Sequence, residues 1–316
     1  MRVLLWHVHG AWTTAFVHGR HTYLVPVLPG RGPDGRGRAR TYAWPDAAVE
    51  VTPEAAATAD VDVVVLQRPE ELDGLAEAWL GGRRPGRDVP AVYVEHNAPQ
   101  GRIAALRHPA AGRGDLVIVH VTHFNDLFWD ARGTPTRVIE HGIPDPGERY
   151  TGELSRAAAV LNEAARRGRV TGTDLLPRFA AAVPVDLFGI GSDAVGPPVW
   201  AAGDLPHERL LAEMARRRLY LHPVRWTSLG LSLLEAMHLG MPVVALATTE
   251  VVEAVPPAAG AISTRVDALV EAARGFATDP EAARVAGKAA RAAALDRYGL
   301  GRFLADWDRL LGEVVR

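Results

Sequence analysis

The amino-acid sequence predicts an α/β protein of two domains, and three observations carry that expectation. The chain has 316 residues, which at ~100–200 residues per domain favours two over one. Short apolar runs alternate with longer helical stretches, the pattern of strands covered on both faces in a parallel sheet. Near the middle, His141-Gly142-Ile143-Pro144-Asp145-Pro146-Gly147 puts two prolines and two glycines where no regular element can continue.

In chain order, the first-half strands are expected at Val3-Leu4-Leu5-Trp6, at Val61 to Leu66, at Ala91 to Val94 and at Leu116 to Val121. Between the first two, the Gly-, Pro- and Arg-rich stretch from Pro29 to Arg40 reads as a surface loop, either idle or ordered by a ligand. Beyond the central turn, strands are expected at Ala157 to Leu161, Val185 to Gly189, Leu219 to His222 and Pro242 to Leu246. An Ala/Arg-rich helical region runs from Val266 to the end, and Phe303, Trp307, Leu310 and Leu311 fall on one helical face. Such an aromatic stripe packs a junction rather than a substrate. The expected domains are 1–145 and 146–295, with a terminal helix over 296–316.

Composition narrows the classes of function. Apolar residues make up 48% and charged residues 23%, which excludes a disordered chain and a membrane-embedded one. Thirty-five basic against thirty-seven acidic residues leave a formal charge of -2 and no global field for a polyanion, so nucleic acid is not an expected partner. With no cysteine, disulfides, thiolate metal sites and cysteine nucleophiles are excluded. The apolar start is interrupted at His9-Gly10-Ala11-Trp12 before a signal-peptide core could form, and no stretch approaches the ~18 apolar residues of a membrane span, so the expected address is the cytoplasm. Asp60-Val61-Asp62 precedes a strand at its amino end, away from the edge where such sheets bind ligands, and is read as an entry turn. His120 and His123 lack the further ligands of a zinc site and are read as packing residues, so no metal site is expected.

The most informative stretch runs from Tyr220 to Leu246. It reads as a strand, a loop from Val224 to Gly230, a helix from Leu231 to Leu239, a Gly240-Met241-Pro242 stop and a second strand. A helix that opens at Gly230 presents free N–H groups from Leu231 and Ser232 and the positive end of its dipole, which suits a diphosphate. Glu235 lies one turn in, where a carboxylate can accept hydrogen bonds from ribose hydroxyls.

The run Gly230-Leu231-Ser232-Leu233-Leu234-Glu235-Ala236-Met237-His238-Leu239-Gly240-Met241-Pro242-Val243-Val244-Ala245 resembles the nucleotide-sugar signature of retaining GT-B glycosyltransferases, the group 1 or family 4-like enzymes that include sucrose synthase and bacterial mannosyltransferases. The resemblance implies two Rossmann-like doubly wound domains facing a cleft, the GT-B fold, with the last helix crossing back onto the first domain. It makes Glu235 the ribose ligand and puts Thr227 where the family carries a first glutamate against the donor sugar. Upstream, Val185 to Ser192 is similar to the family's strand and Gly-rich turn, which places Gly191 in the donor site, and Gly203 to Glu208 to the loop that holds the base. Arg166 falls on the family's diphosphate arginine and Thr171 on its lysine; Arg167 and Arg169 offer guanidinium groups in the same loop, and Arg169 is taken as the replacement. In the first domain Gly10 matches the glycine turn that lets backbone approach a ligand, and His96 the histidine beside the donor sugar and the reacting phosphate.

The implied activity is transfer of a sugar from a nucleoside diphosphate to an acceptor hydroxyl, with retention of configuration and without metal. No cofactor is expected beyond the nucleotide sugar itself. His96, Arg166 and Glu235 are the expected catalytic residues. Gly10, Arg166, Arg169, Gly191, Thr227, Gly230, Leu231, Ser232 and Glu235 are expected to bind the donor. The acceptor, a small molecule, lipid or glycan, is left open, as are the base, the sugar and the oligomeric state. Thr227 and Thr171 motivate two alternatives: a nucleotide-sugar-binding protein that no longer turns over, and an epimerase on the same fold.

Overall fold

The computed structural model describes residues 1–316 and divides into two compact units, Met1–Gly142 with Leu300–Arg316 and Ile143–Gly299. The first unit contains β1 (Arg2–Leu5), α1 (Gly10–Phe16), β2 (Thr22–Pro26), β3 (Ala48–Val51), α2 (Pro53–Thr58), β4 (Val63–Leu66), α3 (Ala76–Trp79), β5 (Ala91–Glu95), β6 (Val117–His120), α4 (His123–Phe128) and β7 (Thr136–Val138). Its strands form one parallel sheet in the order β3-β2-β1-β4-β5-β6-β7, with Val3 opposite Val63 and Val64 opposite Ala91. The central strands read Val-Leu-Leu, Val-Val-Val-Leu and Ala-Val-Tyr-Val and are buried throughout, as a sheet covered on both faces requires. Thr122 caps α4 by accepting the Asn125 N–H at 3.1 Å, and Thr52 with Pro53 opens α2.

The second unit contains β8 (Leu154–Val160), α5 (Ala164–Arg167), α6 (Leu176–Ala180), β9 (Val185–Phe188), β10 (Trp200–Gly203), α7 (His207–Arg216), β11 (Arg217–His222), α8 (Leu231–Leu239), β12 (Val243–Leu246), α9 (Val251–Ala254), β13 (Gly260–Ser263), α10 (Val266–Thr278) and α11 (Pro280–Tyr298). Its parallel sheet has the order β10-β9-β8-β11-β12-β13. Both sheets therefore reverse direction of growth once, between β1 and β4 in one and between β8 and β11 in the other. The carboxyl ends of the strands flanking such a reversal form the crevice where doubly wound folds hold ligands. Helix α8 is apolar nearly all round and sinks into the core, with Leu233, Leu234, Ala236, Met237 and Leu239 inaccessible. Gly240 ends it in the left-handed region at φ 88°, so that the Met241 N–H returns to Ala236 O at 3.0 Å. A Cβ at Gly287 would stand 2.0 Å from Gly240 O, so α11 lies against the end of α8 through a contact that only glycine permits.

The last helix, α12 (Leu300–Val314), folds with the first unit. Its buried face consists of Phe303, Trp307, Leu310 and Leu311, the residues its periodicity singles out. Trp307 stands edge-on to Trp12 at 5.7 Å and to Phe16 at 5.0 Å, while Trp12 and Phe16 stack on each other at 4.9 Å. Removing this buried indole leaves a cavity that its neighbours fill only in part. Trp307→Ala is expected to cost about 3–5 kcal/mol, read as a lower urea midpoint for the first unit, whereas Val285→Ala on the exposed face of α11 should leave both midpoints in place.

Candidate functional site

In the second unit, the loops that leave β8, β9 and β11 meet at the carboxyl edge. The loop after β8 packs against the one leading into α8: Val170 O accepts the N–H of Arg225 at 2.9 Å and of Trp226 at 3.3 Å. Gly172, at φ 73°, makes this possible, because a Cβ there would lie 1.8 Å from Pro223 O. The loop after β9 joins from the other side. Ile190 N–H donates to Asn162 Oδ1 at 3.1 Å, Ile190 O accepts from Glu163 N–H at 2.7 Å, and Gly191 takes φ 71°.

Gly230 caps α8 in an extended conformation, and no side chain satisfies the first N–H groups of the helix. The reason for glycine is visible beneath it: a Cβ would meet the buried His222 ring at 2.7 Å. Leu231 and Ser232 form the first turn, and Ser232 Oγ shares a hydrogen bond with the buried Tyr220 hydroxyl at 2.9 Å. Glu235, one turn in, is buried, and its Oε1 accepts a hydrogen bond from His207 Nε2 at 2.8 Å. His207 opens α7 directly after the Gly203–Pro206 loop, so the expected base loop and the expected ribose carboxylate come together. Burial pushes the His207 pKa down, but the hydrogen bond and charge of Glu235, with Glu208 nearby, outweigh it and raise the value above normal.

The basic groups are arranged differently from the simple expectation. Arg166, in α5, and Arg169, on the loop that follows it, both lie exposed, and each is paired nearby, Arg166 with Glu163 and Arg169 with Asp174 at 3.4 Å. Thr171 is buried and bonded to Gly168 O and Thr173 Oγ1, so it shapes the loop rather than standing in for a lysine. Arg225 was not singled out by sequence, yet it is the guanidinium held most firmly at this edge. It grips Asp174 with both nitrogens, at 2.5 and 2.9 Å, and donates to Arg169 O at 2.9 Å. Its signal in the sequence was position alone, two residues before the half-buried Thr227 in the loop between a strand and the signature helix.

Gly10 and His96 belong to the first unit. His96 follows β5 and is buried, with its Nε2 3.0 Å from Gln67 Oε1. Gln67 Nε2 donates to Trp6 O at 2.7 Å, which turns the amide oxygen toward the histidine and leaves Nε2 of His96 as the protonated nitrogen. Its ring lies 4.1 Å from that of His9 and edge-on to Trp12 at 4.9 Å. Burial, with His9 and His141 nearby, holds His96 well below the ordinary histidine pKa, so the ring is neutral. Gly10 opens α1 beside it, and a Cβ there would crowd Tyr42 at 3.3 Å. Asp62 lies just before β4, at its amino end, and accepts the Arg2 N–H at 2.6 Å. His120 is buried at the end of β6 and His123 is exposed at the start of α4.

The two parallel sheets with their covering helices make this a GT-B fold. The sequence resemblance is borne out by the profile of the family described as Glycosyl transferases group 1, which matches residues 199–293, from β10 through α8 into α11. No curated protein matches the chain. Among solved structures, sucrose-phosphate synthase from Thermosynechococcus elongatus is similar with a TM-score of 0.74 at 14% identity, over 99% of this chain and 98% of that one. HepE of Anabaena, solved in complex with UDP and glucose, aligns with a TM-score of 0.70 at 14% identity, over 99% of this chain and 100% of that one. A glycosyltransferase from Rickettsia africae aligns with a TM-score of 0.68 at 10% identity, over 100% and 98%.

Proposed function

We propose that the protein transfers a sugar from a nucleoside diphosphate to an acceptor hydroxyl, with retention of configuration and without a metal ion. The observation that carries this reading is the buried Glu235 carboxylate, one turn into a helix whose N-terminus is uncapped, within the segment that matches the glycosyltransferase profile. Glu235 receives the ribose hydroxyls. The free N–H groups at Gly230, Leu231 and Ser232 face negative charge that grows on the diphosphate, and Arg166 and Arg169 add to it once they exchange Glu163 and Asp174 for the phosphate oxygens. Gly191 lets backbone approach the donor, and Thr227 offers its hydroxyl to the donor sugar.

The chemistry needs no protein nucleophile. The bond from the anomeric carbon to the diphosphate oxygen breaks, and the electron pair leaves on that oxygen. The acceptor oxygen forms its bond on the same face, and its proton passes to the departing phosphate. Products are a glycoside and a nucleoside diphosphate. A neutral His96 fits a role as hydrogen-bonding partner beside the sugar, not as a cation. Gly10 lets backbone approach the donor closely.

Thermal shift against UDP, GDP, ADP and dTDP, each with and without magnesium, tests the donor site. One diphosphate at 100 times its Kd is expected to stabilise the protein by about 2.7 kcal/mol, with no need for magnesium. The complexes of HepE with UDP make UDP the first to try. A flat response to all four sinks the transferase reading. The buried, self-bonded Thr171 favours a second reading, a protein that binds the donor without turning it over. Incubating donor with candidate acceptors separates the two, and diphosphate release from donor alone would mark an epimerase instead.

A further inference from the structure

We propose that the first unit carries a binding site for an oxyanion, a phosphate or carboxylate borne by the acceptor, in the concavity lined by His7, Arg31, Arg36, Arg38 and Arg40. This deepens the transferase reading, on which it rests for the word acceptor. The concavity, open to solvent and about 440 Å³ in volume, lies at the carboxyl ends of β1 and β2, the ligand edge of the sheet.

The stretch from Pro29 to Arg40 is a built structure. Leu28 N–H donates to Gly35 O and Gly37 N–H to Pro26 O, both at 2.9 Å, and Val27 bridges Arg36 antiparallel. Gly37 sits at φ 71° where a Cβ would strike Glu50 Oε1 at 2.3 Å. Arg31 is clamped by Glu50 with both nitrogens, at 2.8 and 3.1 Å, and Arg38 donates to the carbonyls of Trp44, Pro45 and Ala48. These two arginines hold the wall. Arg36 and Arg40 are exposed, and neither guanidinium has a carboxylate partner. The nearby acids are spent: Glu50 on Arg31 and the Arg38 N–H, Asp34 on Arg68 at 3.0 Å. Four guanidinium groups against one facing carboxylate leave an excess of positive charge with fork-shaped donors free, the chemistry that grips phosphate or carboxylate.

His7 adds a group of the opposite kind. Its Nδ1 lies 3.0 Å from Gly37 O, which only accepts, so Nδ1 carries the proton and Nε2 a lone pair. Burial, and then the charge of Arg36, hold His7 below its ordinary pKa, which keeps that lone pair at neutral pH. Gly10 lies beside this ring: a Cβ there would stand 3.7 Å from Nε2 and 3.3 Å from Tyr42. One wall thus takes an anion and the adjoining ring accepts a hydrogen bond from a hydroxyl.

Isothermal titration with glucose 6-phosphate and with glucose, in the presence and absence of the nucleoside diphosphate found to bind, tests the site. A second arm measures co-sedimentation with phosphatidylcholine vesicles that contain phosphatidate, which separates a lipid phosphate from a soluble one. Binding in either arm is expected to weaken at least tenfold in Arg36→Ala/Arg40→Ala, to persist in Arg166→Ala, and to be absent for glucose. The double variant touches no contact that folds the loop, and an unchanged nucleotide-induced thermal shift confirms its integrity. Phosphate binding undiminished in the double variant, or no binding to the wild type in either arm, overturns the proposal. A wild type that binds glucose 6-phosphate through these arginines but no nucleoside diphosphate keeps the oxyanion site and sinks the donor reading.

Discussion

Stability is expected to fall steeply as the pH drops from about 6.5 to 4, because several histidines are buried as neutral bases. Burial lowers His9 to about 4, aided by Arg36, and lowers His222 to about 4 with no other contribution. It lowers His120 to about 4, against the pull of Asp126, and His141 to about 3, where His9 and Arg302 add to it. Each ring accepts its proton in the unfolded chain near pH 6.5 and in the folded chain only near 3 or 4. The stability each contributes is therefore complete above 6.5 and lost as the pH falls through that window. A shift of this size corresponds to about 3 kcal/mol per group, so even two of the four approach the roughly 5–15 kcal/mol that holds an ordinary protein together. His9 and His222 lie in different units, so both units should weaken. His207 acts in the opposite sense: its raised pKa stabilises fully below 6.5, and that contribution is lost as the pH rises through the raised value. Urea titrations from pH 7 down to 4 read the effect directly, and a midpoint that stays level across that range contradicts the buried neutral histidines.

Glu235→Ala is expected to lower kcat/KM for the donor by about a hundredfold or more. In the proposed function two ribose hydroxyls would lose a charged acceptor, and hydrogen bonds to charged groups contribute about 1.5–3 kcal/mol each. The partner left behind makes the loss worse, since His207 is half-buried and keeps its pKa raised through Glu235. Glu235→Gln keeps the shape of the side chain and an oxygen for His207 Nε2, so it separates charge from packing. The expected order of donor affinity is wild type, then Gln, then Ala, with urea midpoints of the Gln variant close to wild type. Steady-state kinetics with sugar donors built on the nucleoside diphosphate identified by thermal shift measure it, and an unchanged kcat/KM in the Ala variant removes Glu235 from the site.

The inner strands were legible because strands covered on both faces are continuous apolar runs, as in Val63–Leu66 and Val243–Leu246. Four strands that were not singled out, β3, β7, β10 and β13, are the four sheet edges, where one side faces no neighbour and the sequences turn short and mixed: Ala-Val-Glu-Val, Thr-Arg-Val, Trp-Ala-Ala-Gly and Gly-Ala-Ile-Ser. The fifth, β2, is central but is only Thr-Tyr-Leu-Val-Pro, ending on a residue that argues against a strand. The site divides the same way. Gly230, Glu235 and the Gly240 stop lie within one helix length and could be read in order. The grip of Arg225 on Asp174 spans 51 residues and that of His207 on Glu235 spans 28, and no local pattern encodes either.

By itself the sequence determined the alternation of strand and helix, the central turn, the buried stripe of the last helix and the uncapped start of α8, since each follows from the spacing of apolar residues, glycine and proline along the chain. The tertiary structure alone decided that the first six strands of each unit take one order, with β7 added in the first, although their sequences show no repeat. It also decided which arginines are spent on carboxylates and which stay free. The physical reason is that an ion pair depends on distance in space, and loops far apart in sequence are brought to one edge only when the sheet beneath them has formed.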